Sequence, residues 1–191
     1  MKNIAIVFFS GYGHTIKVAQ AVQAGAEGIT NTKVNSIQIS AEGDIDEQAW
    51  ATLEQADAII FGAPTYMAGA PWQFKKFADA SSKPWFGQKW KNKIFAGFTN
   101  SASTNGDKHE TISYLMHLSQ QHGGIWVGLG LLPSNTKAAQ KDDVNFLGSS
   151  AGLMTVSPSD SSPEEGPSTG NLETAKLFGA RVAEITSKFS I

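Results

Sequence analysis

Short apolar runs alternate along this 191-residue chain with longer amphipathic stretches, and that alternation leaves few ways to fold. Residues 3–9 (NIAIVFF), 33–39 (KVNSIQI), 57–66 (DAIIFGAPTY), 93–99 (KIFAGFT) and a run beginning at 125–128 read as strands. Between them, residues 15–27 place Ile16, Ala19, Val22 and Ala26 on one helical face. Helices are also predicted over 47–55, after Pro71, over 110–121, and over 171–188 with Ala175, Phe178, Val182 and Ile185 aligned. The run ending in Gly62 and Pro64 is apolar without alternation, as a central parallel strand covered on both faces must be. Strands interleaved with helices predict a doubly wound parallel sheet, whose ligands sit beyond the carboxyl ends of its strands. Residues 129–151 have no clean period before GLMTVS (152–157) resumes strand character, and the Pro/Ser-rich stretch 157–170 reads as a surface loop.

Composition narrows the functional classes. A net charge of −2 gives no electrostatic footprint for nucleic acid or an anionic membrane. The absence of cysteine excludes disulfides, thiolate catalysis and cysteine-ligated iron–sulfur clusters. His14, His109, His117 and His122 have no metal-ligand spacing, so no metal is expected. No signal-peptide pattern opens the chain, and no apolar run nears the roughly 18 residues of a bilayer span. The expectation is a cytoplasmic protein without membrane insertion.

Three loops leave strand ends where they can face one crevice: 10–15, 63–70 and 99–107. The first, Ser10-Gly11-Tyr12-Gly13-His14-Thr15, hands a strand to a helix whose first N–H groups lack partners. It lacks the lysine of a P-loop and has Ile16 where a dinucleotide fingerprint needs glycine. It is either a neutral phosphate cradle or a tight turn. Pro64, Thr65, Tyr66 and Met67 occupy an irregular loop able to offer backbone groups to a flat heterocycle, or to plug the end of the sheet. Ser101, Ala102, Ser103, Thr104, Asn105 and Gly106 are a third cofactor loop or a solvated turn. In SSKPWFGQKWKNK (81–93), Trp85, Phe86 and Trp90 stand among lysines on a stretch too irregular for the core, which predicts a homodimer or homotetramer interface.

Taken in order, FFSGYGHT, AIIFGAPTY, FKKFADAS, GFTNSAS followed by HETI, and HGGIWVG resemble the flavodoxin-like NAD(P)H:quinone oxidoreductases related to the tryptophan repressor-binding protein WrbA. The resemblance runs from Ile4 to about Val156. It implies a single flavodoxin-like FMN-binding domain over 1–191: a five-stranded parallel sheet in the order 2-1-3-4-5, helices on both faces, and an insertion in the last strand. It further implies FMN with its phosphate on Ser10 through Thr15, its ring system against Pro64 through Met67, and its pyrimidine edge and ribityl chain along Ser101 through Gly106. Trp85 falls near a substrate-pocket tryptophan of the family. His122 matches a histidine beside the flavin, although a satisfied core or helix-end histidine fits it equally. Tyr66 and His122 are the catalytic candidates and Trp85 the substrate-binding one, with NADH or NADPH as donor and a quinone-like acceptor. Tyr66 stands where the family usually has arginine, and the third loop lacks the usual glycine run. A flavodoxin-type electron carrier and a binding protein with an unused site are the other readings.

Overall fold

A computed structural model describes residues 1–189. Strand β1 (Lys2–Phe8) lies inside a parallel sheet, with the edge strand β2 (Thr32–Gln38) on one side and the central strand β3 (Ala58–Pro64) on the other. Next comes β4 (Ile94–Ser101), and the fifth position is shared by two short strands. Strand β5 (Ile125–Trp126) pairs with Ile94 and Phe95, whereas β6 (Leu153–Val156) pairs with Phe98 through Ser101. Residues 127–152 are therefore an insertion inside one strand position, and the order 2-1-3-4-5 stands.

Alternation along the strands builds two cores. Ile4, Ile6 and Phe8 face α1 (His14–Glu27) and α6 (Thr169–Lys188). Ala5, Val7, Ile59 and Phe61 face the other side, with α2 (Glu47–Gln55), α3 (Trp72–Ala80) and α5 (Lys108–Gln121). Strand β3 is buried at every position because it has helices above and below.

Trp90 departs from the sequence-based expectation. It is 1% exposed and stacks on Trp50 and Phe77 in the second core. Lysines on both sides give the stretch a polar look, but the chain turns there and only the indole points inward. A short helix α4 (Ser82–Phe86) precedes it, leaving Trp85 43% and Phe86 85% exposed.

Helix α1 is held in place by α6 through two reciprocal glycines. A Cβ on Gly25 would overlap the Lys176 carbonyl oxygen, and one on Gly179 would overlap that of Val22. Alanine normally gains about 0.5–1 kcal/mol over glycine inside a helix. At Gly179 the clash reverses the sign, and we expect Gly179→Ala to lose about 1–3 kcal/mol of stability. A lower urea midpoint at unchanged slope would show this; an unchanged or raised midpoint would mean that the helices do not pack this closely.

Candidate functional site

The carboxyl ends of β1, β3, β4 and β6 open on one crevice of about 570 Å³. Its walls come from Tyr12, His14 and Thr15 after β1, and from Pro64, Thr65 and Tyr66 at the end of β3 and just beyond it. Asn100 and Ser101 at the end of β4, and Ala102 after it, complete it with Ser157, Pro158, Ser159 and Ser161 after β6. The Pro/Ser-rich stretch is thus a wall of the site. Its composition hides that role, but its position at a strand's carboxyl end discloses it.

The floor is the start of α1. Gly13 precedes it in the left-handed region (φ 90°), and no side chain caps its N–H groups. Among the described residues the buried Ser10 hydroxyl has no hydrogen-bond partner, and Thr15 is 2% exposed. Three contacts tie the surrounding loops together. His14 Nδ1 lies 2.9 Å from the Gly166 carbonyl oxygen, Lys17 pairs with Glu164 at 3.6 Å, and the Tyr66 hydroxyl packs against Gly11. Gly11 is needed there, since a Cβ would sit 2.6 Å from the Tyr66 oxygen. Burial, reinforced by Tyr12, raises the Tyr66 phenol above its ordinary range, so it stays neutral.

Thr65 is fixed from beneath. Its hydroxyl meets those of Thr99 and Thr111, each at 2.8 Å, in a buried three-hydroxyl cluster. Asn100 is 5% exposed, and its amide oxygen accepts from Thr155 at 2.8 Å and Ser157 at 3.1 Å. Asn100 and the four residues after β6 are the crevice positions that sequence reasoning missed. Beyond Tyr66 the 66–69 hairpin turns through Met67 and Ala68, both at positive φ, leaving Met67 fully exposed at its tip. A second cleft of about 430 Å³ opens beside the first, between Tyr12, Tyr66, Trp72 and Gln73. Met67 lines neither recess, and Ser103, Thr104, Asn105 and Gly106 lie beyond the crevice wall.

Two expected site residues are elsewhere. Helix α5 starts beside the crevice and ends at His122, whose ring packs on Trp90 with centroids 4.3 Å apart and reaches Ser81 at the far end of α3. Trp85 follows on α4 and lines neither recess. One chain does not bring either residue to the crevice, so His122 is a buried helix-end histidine here.

The family model described as NADPH-dependent FMN reductase matches residues 12–141. The chain belongs to the NADPH-dependent FMN reductase family. It is 53% identical over 185 residues to Flavodoxin FldP of Pseudomonas aeruginosa, covering 97% of both chains. It is 31% identical over 203 residues to an NAD(P)H dehydrogenase (quinone) of Sinorhizobium fredii, covering 100% of each. A crystal structure of a flavodoxin, WrbA-like protein from Agrobacterium tumefaciens superposes with a TM-score of 0.79 at 48% identity, over 98% of this chain and 99% of that one. The WrbA-related resemblance and the flavodoxin-like fold are thereby shown. No helix among the described residues is long and apolar enough to cross a membrane.

His122 gives a pH test of its placement. Ser81 Oγ donates to the Ala78 carbonyl at 2.6 Å and so accepts from His122 Nε2 at 2.9 Å, while the buried Nδ1 has no partner among the described residues. Burial pushes the imidazole down to about 4. The unfolded ring, near 6.5, takes up a proton that the folded ring refuses, so this contribution is full above about 6.5 and is lost as pH falls toward 4. We expect stability to fall less steeply over that window in His122→Leu than in the unaltered chain, as read by urea unfolding. Equal slopes would mean that the ring is accessible to water.

Proposed function

We propose that the crevice holds one FMN per chain and that the chain is an FMN-dependent oxidoreductase, taking hydride from NADH or NADPH and passing electrons to a quinone-like acceptor. The observation that carries the cofactor is the buried Ser10 hydroxyl, without a partner among the described residues, in the loop that leads into the uncapped start of α1. With Thr15 and the first-turn N–H groups it fits a terminal phosphate and needs no fixed cation. FMN, when bound, supplies the hydride and electron chemistry. The chain binds and orients. Ser10 through Thr15 would hold the phosphate, Pro64 through Tyr66 and Asn100 through Ala102 the ring system, and Ser157 through Ser161 would exclude water from the far side. The neutral Tyr66 phenol is a wall shared by both recesses rather than a proton donor of low pKa.

The neighbouring cleft supports small-molecule turnover, because Tyr12, Tyr66 and Trp72 are flat walls suited to a nicotinamide or quinone ring. Within one chain these side chains take the role that Trp85 was expected to fill. The exposed Trp85 and Phe86 instead mark the face on which copies of the chain would meet.

A second reading, a flavodoxin-type electron carrier, draws on the 53% and 48% identities to proteins called flavodoxins. Steady-state oxidation of NADH and NADPH by FMN-loaded protein, with and without benzoquinone, separates the two. The oxidoreductase reading expects quinone-dependent turnover with parallel double-reciprocal lines, because donor and acceptor alternate in one recess. No turnover above that of free FMN, with the bound FMN still reducible, selects the carrier.

Ser10 makes a second prediction. Ser10→Ala should weaken FMN binding by about 1–3 kcal/mol while leaving the FMN-free protein no less stable, since the hydroxyl has no protein partner to lose. Unchanged affinity in a fluorescence titration would move the phosphate away from this loop.

A further inference from the structure

A lysine at the first position of a helix normally stands in solvent, because the positive end of the helix dipole repels it. Lys108 opens α5 and is 1% exposed. Its ammonium turns back under the preceding loop and donates to three consecutive carbonyl oxygens, 2.5 Å from Ser103, 2.9 Å from Thr104 and 3.1 Å from Asn105. It forms no ion pair among the described residues. Burial pushes the group down to about 8, which still leaves it charged at neutral pH.

This geometry has a consequence for the loop. A planar trans peptide holds each C=O antiparallel to the following N–H. Three carbonyls converging on one buried cation therefore turn the N–H groups of Thr104, Asn105 and Gly106 the opposite way, out of the loop. Gly106 and Asp107 close the turn in the left-handed region at φ 55° and 52°, and a Cβ on Gly106 would overlap the Ser101 hydroxyl. The loop so shaped is the one whose first residues, Ser101 and Ala102, line the crevice. It carries outward-facing backbone donors and an uncompensated positive charge behind them.

We propose that Lys108 is a positioning residue of the cofactor site: it braces the loop whose first residues, Ser101 and Ala102, line the crevice, and its buried charge behind that wall favours the two-electron-reduced form of FMN over the oxidised form. Two electrons and one proton convert oxidised FMN to an anionic ring system, and a charge held in a partly desolvated site acts on that difference. The inference rests on the FMN reading above.

The test uses the full chain loaded with FMN and measures both the affinity for oxidised FMN and the two-electron midpoint potential, followed by absorbance. Lys108→Met should bind reduced FMN about tenfold more weakly relative to oxidised FMN, a midpoint about 30 mV more negative. Lys108→Gln keeps donors without charge and should shift the same way, whereas Lys108→Arg keeps the charge and should stay nearer the unaltered value. If Lys108→Met does not fold, the Gln and Arg pair decides. A Gln or Met variant with an unaltered midpoint would overturn the inference and leave Lys108 as a loop brace only. An unaltered chain that takes up no FMN would remove both this inference and the function on which it rests, so the two failures are distinguishable.

Discussion

The first turn of α1 presents backbone N–H groups that have no acceptor within the helix, and Gly13, which precedes it, has no side chain to receive them. In the function proposed above, that uncompensated donor set is where a ligand's negative charge would sit, with the remaining walls around it. The parallel sheet brings four loops to the same end. Tyr66 packs the loop after β3 against Gly11, and His14 holds the loop after β6 to the same helix start. Behind α1, the glycine contacts with α6 set the helix at a depth that any larger side chain would change. A site built this way would recognise an anion by geometry and oriented dipoles rather than by a charged side chain.

The same logic explains which parts of the fold were legible in the sequence. Strands β1, β3 and β4 announce themselves because burial on both faces demands unbroken apolar runs. The amphipathic helices α1 and α6 do so because one face must meet the sheet. The sharing of the fifth strand position by β5 and β6 was given by resemblance and not by pattern, since two- and four-residue strands carry no period of their own. Helix α4 is equally short, and it went unpredicted.

The site was legible in its first and second loops and less so elsewhere. Ser10 through Thr15 and Pro64 through Tyr66 lie where a strand-to-helix loop must lie, so position alone pointed to them. Three residues show why side-chain type misleads. Trp90 sits among lysines yet fills the core, because one inward turn of the chain decides burial and composition does not. His122 looks like catalytic chemistry, but it ends a helix that begins at the crevice, so the helix's length carries it away. Lys108 reads as a solvated charge, and only the convergence of three carbonyls shows that it is internal. Such features depend on where separate parts of the chain meet, which local sequence does not encode.

The central claim is that the start of α1 is a phosphate site. Calorimetric titration of cofactor-free protein with FMN and, separately, with riboflavin tests it most directly, since the two ligands differ only in that phosphate. The account predicts one FMN per chain and riboflavin binding at least about a hundredfold weaker, the difference of about 2.7 kcal/mol expected from two charge-assisted hydrogen bonds. Equal affinities for FMN and riboflavin would contradict it.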